Sequence, residues 1–337
     1  MRKEEKGRFK LLGREVIHDK ANRTITVNQH QYVAAIRPIY IPAVRRKQTE
    51  EKLTPHEKTQ YRSLVQQLSW PAKGTLPTIA YEVSTLQQLT ETATVHEMVV
   101  ANRLLTRAQE RCRKGEKLTF RPIDGQLAVA GVHDAGFGQQ PNGSSQCGMV
   151  ILLSSVKIFS GKDVINLVDW SSKKINRVVK STLASEANGA SLTYDRGCHV
   201  RVMLGEILKR FQRPWDEMLK CVPYGQGTDC KSLHEHVERT GKSCAEKRVS
   251  LDIMDIRHGI DNYGDRYFWI PTELMMADPL TKKMDSFLLE GVLREGKYAL
   301  YDATYVTERK KAADKKVARA TVTSSLTKTA SSKEIGV

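Results

Sequence analysis

Apolar and polar positions alternate from the start of the chain. FKLLGREVIHD and RTITVNQHQY flank a turn at Lys20-Ala21-Asn22, so residues 1–30 predict a hairpin. Helical spacing follows. Leu64, Val65 and Leu68 share a stripe within 55–72, and Val83, Leu86 and Leu89 recur at near-helical intervals within 78–112. Thr54 before Pro55 supplies an N-cap with proline at the first helical position. The run Arg107, Arg111, Arg113, Lys114 and Lys117 reads equally as a solvated helix end or as a phosphate contact.

The texture changes at Arg121-Pro122-Ile123-Asp124-Gly125, where a domain boundary is expected. Short apolar strands come next: QLAVAGVHD, CGMVILLSS and VINLVDW. A long helix over about 181–211 carries Leu204, Ile207, Leu208 and Phe211 on its apolar face. An extended piece ends at Thr228-Asp229, helical patterns cover about 230–240 and 246–260, and the strand Arg266-Tyr267-Phe268-Trp269-Ile270 leads to a last helix near 278–293. Three strands, helix, strand, helices, strand, helix is an α/β order, with helices covering a mixed sheet.

Composition narrows the function classes. At 337 residues the chain has room for two domains. Its 54 Lys and Arg against 38 Asp and Glu leave +16, which argues for a polyanionic partner, nucleic acid first and an acidic membrane surface second. The segment 309–337 holds eight basic and two acidic residues and no aromatic one, so it predicts a disordered basic tail. The other ten net charges fall in the body. No apolar run approaches the roughly 18 residues of a membrane span, and MRKEEKGRFKLLG lacks the apolar core of a signal peptide. Reduced thiols in a cytosolic or nuclear setting are therefore expected. Cys221, Cys230, His234 and Cys244 are the tightest metal-like group, but their spacing does not match a zinc motif.

Four carboxylates carry the candidate chemistry. Asp134 closes an apolar strand, Asp229 stands between an extended segment and a helix, and Asp278 precedes Pro279 at a helix head. Glu186 lies early in the long helix among Ser185, Ala187, Gly189 and Ala190, small residues that would let the helix lie close to a sheet. Taken singly, Asp229 and Asp278 read as N-caps and Glu186 as a solvent-facing glutamate. Asp134 at the end of a buried strand must be exposed or paired. Together, carboxylates converging at strand ends suit a pair of hard, oxygen-liganded cations able to drive phosphodiester hydrolysis.

At these residues the sequence resembles the C-terminal part of the Pol polyprotein of copia-type LTR retrotransposons. The resemblance rests on His133-Asp134-Ala135, Trp170-Ser171-Ser172-Lys173-Lys174, Ser181-Thr182-Leu183-Ala184-Ser185-Glu186-Ala187, Thr228-Asp229-Cys230-Lys231-Ser232, Leu251-Asp252-Ile253, and Ile270-Pro271-Thr272 followed by Ala277-Asp278-Pro279-Leu280-Thr281-Lys282. Weaker matches at Gln60–Val65, Thr75–Ala80 and Ala101-Asn102-Arg103 extend it over about 10–300. It implies an RNase H-like five-stranded mixed sheet flanked by helices over 121–305. Before it would stand a smaller, mostly helical thumb or connection remnant over 1–120 with an N-terminal hairpin, and after it a basic tail over 306–337.

The implied activity is cutting of the RNA strand of an RNA–DNA hybrid with two Mg²⁺ or Mn²⁺ ions held by Asp134, Glu186, Asp229 and Asp278. Ser171, Lys173, Lys174 and Ser232 are the expected hybrid contacts, to backbone and 2′-hydroxyls. Ala184 stands where the family has a further glutamate, so Glu186 is the one helix ligand. Gly225-Gln226-Gly227 replaces apolar residues before Asp229, a change able to shift that carboxylate. The chain has no adjacent Asp-Asp pair, so polymerase activity is not expected and the polymerase palm would lie upstream in a longer Pol. Cytoplasmic particles are the implied location, with the nucleus as alternative. The competing reading is a catalytically inactive, nucleic-acid-binding relic of the same fold.

Overall fold

Within the stretch 1–30, expected as one hairpin, the described residues form three strands. The computed structural model describes residues 7–140, 143–209, 214–239, 244 and 246–300, so the expected basic tail and Phe211 lie outside the described residues. Strands β1 (Arg8–Leu11), β2 (Arg14–Asp19) and β3 (Thr24–Asn28) pair antiparallel in order. The unforeseen turn falls at Leu12-Gly13, where both residues take positive φ (49° and 73°). Leu11-Leu12 at the end of the alternating run conceals it, because only Gly13 signals a break. Five helices follow: α1 (His30–Ala35), α2 (Ala43–Arg46), α3 (Pro55–Gly74), α4 (Ala80–Gln88) and α5 (Val95–Arg113). Strand β4 (Leu118–Phe120) then returns to pair with β3.

Thr54 caps α3 as expected, in a capping box with Glu57. The single helix expected over 78–112 is instead α4 and α5, parted at Leu89–Thr94. A second capping box, Thr94 with Glu97, starts α5 afresh. Val33, Tyr61, Leu64, Leu68, Met98 and Leu104 form the core of this region.

The central sheet is built from β5 (Leu127–Gly136), β6 (Gln146–Ser155), β8 (Asn166–Lys174), β9 (Tyr224–Thr228) and β10 (Arg266–Trp269). The small β7 (Asp163–Val164) pairs separately with β11 (Lys297–Tyr298). The order across the sheet is β10-β9-β5-β6-β8; β5, β6 and β8 run antiparallel, while β9 and β10 run parallel to β5. This is the expected five-stranded mixed sheet. One face carries α6 (Thr182–Lys209), α8 (Lys231–Glu238) and α9 (Lys247–Tyr263), with α7 (Trp215–Cys221) beside α6. The other packs on Ile158, Phe159, Met276 and α10 (Phe287–Glu295).

Three further expectations change. Ile207 and Leu208, assigned to the buried stripe of α6, are 71% and 51% exposed. The helix instead packs through Ala184, Ala187, Ala190 and Tyr194, whose small side chains bring it close to the sheet. Gly225-Gln226-Gly227 does not disturb β9. Its parallel register with β5 runs unbroken from Val129↔Tyr224 to Val132↔Gly227, and the glycines leave room for Phe159 and Ile270. Asp278 heads a short 3-10 turn, Asp278–Leu280, and the last helix begins only at Phe287.

Candidate metal centre

Strand alternation decides where each acid emerges. On β5, Ala128, Ala130 and Val132 face the core that contains Leu280, and Asp134 continues that set. His133 belongs to the opposite set and lies beneath α6, facing Gly189. Because β9 runs parallel to β5 with Val132 opposite Gly227, Asp229 follows two residues on, opposite Asp134. The Asp278 turn reaches the site by lying on β6 at Gly148. A Cβ there would fall 2.7 Å from Leu280 Cβ and 3.0 Å from the Ala277 carbonyl oxygen, so this approach requires glycine.

The result is convergence. Asp134, Asp229 and Asp278 each place one carboxylate oxygen within 4.8 Å of the other two. Glu186 stands beside this trio rather than in it. Its Oε1 accepts the Ala135 amide at 3.4 Å, and its Oε2 lies 3.7 Å from His133 Nδ1. Far from facing solvent, Glu186 is 4% exposed. Burial first, then the charges of Asp134 and Asp229, push its carboxyl well above the ordinary range. Burial and Asp134 likewise raise Asp229, and they hold Asp278 up to about 7. His133 is driven down to about 3 by burial and is neutral.

A second tier of side chains holds the acids, and sequence reasoning assigned none of them a role. Thr281 is fully buried and hydrogen-bonds to Asp134 Oδ2. Thr272 donates to Asp229 Oδ2 at 3.0 Å. Lys282 Nζ lies 3.0 Å from Asp278 Oδ2 and 3.9 Å from Asp134 Oδ2. Burial works to lower the Lys282 pKa, but Asp134, Asp278 and Asp229 outweigh it and the net shift is upward. The available signal was the string Ala277–Lys282 itself, which places a threonine and a lysine just beyond Asp278.

The donor set fits a hard divalent cation. Three carboxylate oxygens face one small space, and Asp278 Oδ1 and Glu186 Oε2 are buried with no hydrogen-bond partner. Orphaned buried oxygens are costly unless something cationic satisfies them. Cys221, Cys230, His234 and Cys244 form no such group; among the described residues the aspartate trio is the one cluster of metal-ligand geometry.

Of the expected nucleic-acid contacts, Ser171, Lys173 and Lys174 line a cavity of about 520 Å³ with Lys73 of α3, Gln87 and Gln88 of α4, and Arg196 of α6. They lie at the acid-bearing end of the sheet, since Lys173 pairs with Cys147 and Cys147 with Ala135. Ser232 is not among the lining residues; it is exposed near the start of α8, 3.3 Å from Cys230 Sγ.

No protein-family model matches the chain, and no curated protein is similar to it. Solved structures similar to it include RNase H1 from the archaeon Halobacterium salinarum, at 12% identity, covering 49% of this chain and 98% of that one with a TM-score of 0.30. LC11-RNase H1, isolated from compost by a metagenomic approach, is similar at 16% identity over 48% and 98%, with a TM-score of 0.32. Likenesses this low add nothing to the strand order and register, which stand on their own.

Proposed function

We propose that the chain is a metal-dependent RNase H that hydrolyses the RNA strand of an RNA–DNA hybrid. The supporting observation is the convergence of Asp134, Asp229 and Asp278 beside a buried Glu186, at the end of a five-stranded mixed sheet flanked by helices, the architecture that the resemblance implies. Asp134, Asp229 and Asp278 would hold Mg²⁺ or Mn²⁺, with Glu186 completing the set through its unpartnered Oε2. Two such ions supply an activated water and charge stabilisation for the leaving oxygen.

The chain's own residues do the remaining work. Thr281 and Thr272 fix the rotation of Asp134 and Asp229 through their hydroxyls. Lys173 and Lys174, both exposed and two strands across the sheet from Asp134, meet phosphates of the hybrid, and Ser171 meets its sugar edge. Ser232 serves as an outlying contact. By the same resemblance the chain comes from a copia-type Pol polyprotein, with 1–120 a thumb or connection remnant, 121–305 the nuclease and 306–337 a basic tail. It acts in cytoplasmic particles.

The test is cleavage of a labelled RNA–DNA hybrid with Mg²⁺ and with Mn²⁺, wild type beside Asp134→Asn. Loss of one ligand should nearly abolish cutting and leave salt-sensitive hybrid binding in place. Hybrid binding without cutting in either protein would sink the nuclease reading in favour of an inactive relic.

A further inference from the structure

Lys282 turns back from the segment after Asp278 and sets its ammonium among the acids. Nζ is 3.0 Å from Asp278 Oδ2 and 3.9 Å from Asp134 Oδ2, and both residues belong to the trio whose oxygens come together. Neighbouring Thr281 directs its hydroxyl to the same Asp134 Oδ2. Asp278 Oδ1, by contrast, is buried and unpartnered, so the lysine engages one oxygen of Asp278 and leaves the other without a partner. The Lys282 side chain is 38% exposed against 7% for Asp278. Its stem is therefore free to turn outward, while the carboxylate is fixed. A lysine is a compact point charge on a flexible four-carbon stem, suited to leaving a position as well as holding it.

An ammonium and a divalent cation on these carboxylates repel each other strongly in a partly buried site, so each weakens the hold of the other. We propose that Lys282 is the resident counter-ion of the metal-free centre and competes for its cation position. It stabilises the packed acids in the absence of metal, gives up Asp278 and Asp134 when a divalent cation is held there, and so weakens metal affinity. The inference rests on reading the aspartate trio as cation ligands.

The test is calorimetric titration of the full chain with MnCl₂ alone, without nucleic acid, for wild type, Lys282→Met, Lys282→Arg and Asp134→Asn. Lys282→Met should bind Mn²⁺ about tenfold more tightly than wild type, since the competing charge is gone. Lys282→Arg, whose planar fork can grip carboxylates through two donors, should bind no more tightly than wild type. Thermal melts in EDTA supply a folding check and a second readout. Lys282→Met should melt lower without metal, and Mn²⁺ should raise its midpoint by more than it raises that of wild type. Equal or weaker Mn²⁺ binding by Lys282→Met, with binding still abolished in Asp134→Asn, overturns the competition and leaves the metal centre standing. Mn²⁺ binding absent from every variant, or unaffected in Asp134→Asn, overturns the centre and this proposal together.

Discussion

Arg201 and Asp265 form an ion pair with both side chains inside the protein. Nη1 donates to Oδ2 at 2.9 Å and Nη2 lies 2.8 Å from Oδ1, at 0% and 3% side-chain exposure. The guanidinium also donates to the carbonyls of Val222 and Leu219, and Tyr194 donates to Asp265 Oδ2 at 3.0 Å. One arginine thereby ties α6 to the segment leading into β9 and to the turn that opens β10, the two strands that carry Asp229 and its Thr272 partner. Arg201→Met strands a buried carboxylate and should cost about 3–5 kcal/mol of stability. Urea denaturation checks this; a loss under about 1 kcal/mol would show that the site relaxes without the pair.

The acids at the centre make stability depend on pH. Burial first, then Asp134, hold Asp278 up to about 7, and Glu186 and Asp229 are raised as well. A carboxyl that binds its proton more tightly folded than unfolded adds stability that is fully present below its unfolded value. That stability is lost as pH rises through the folded value. Metal-free protein should therefore gain stability on acidification through neutrality, and Asp278→Asn should lose much of that gain. Denaturation midpoints in EDTA at several pH values give the comparison, and parallel curves for the two proteins would contradict it. Mn²⁺ binding should run the other way, weakening as pH falls through about 7, because the ligands must be deprotonated.

Placing an apolar residue before Asp229 should harm the protein. A Cβ on Gly227 would overlap the Ile270 side chain, with Cγ1 at 2.8 Å, and Ile270 is fully buried. Gly227→Val should cost about 1–3 kcal/mol by overpacking and reduce hybrid cleavage by displacing Asp229. A variant as stable and active as wild type would mean that β10 moves aside without consequence.

Lys173 and Lys174 offer a test of substrate binding separate from chemistry. Both are exposed on β8, and replacing the two with alanine should weaken hybrid binding. The slope of log K against log salt should fall by about 2, roughly one unit for each phosphate that the protein no longer neutralises. Cleavage at saturating hybrid should change little. An unaltered slope would place the hybrid elsewhere on the surface.

The meeting of Asp134 and Asp229 was legible because each closes or follows a strand, and parallel pairing of those strands leaves little freedom in where they meet; Asp278 instead arrives on a turn packed against Gly148. A mixed sheet was legible from the order of elements, but its strand order depends on pairing between segments far apart in the chain and has no local sign. Burial of Glu186 was legible only in part. The small residues around it signal that the helix lies close to the sheet, but not that Ala135 and His133 enclose the carboxyl. The stripe of α6 was misread because Ile207 and Leu208 are larger than the alanines that do the packing, and periodicity alone weights size above fit. Arg201 was invisible, since an arginine in a helix becomes a core residue only when Asp265, far along the chain, is brought to it.

Trp170 donates its indole N–H to the Ala72 carbonyl at 2.8 Å, bridging β8 and α3, and is 8% exposed. The other three tryptophans, Trp70, Trp215 and Trp269, are 39%, 59% and 39% exposed. The short-wavelength part of the intrinsic fluorescence therefore originates where the N-terminal helices meet the central sheet. If those helices lift away before the sheet unfolds, the emission shifts red while the far-ultraviolet dichroism of the sheet stays intact, and the protein reports on its own seam without a label.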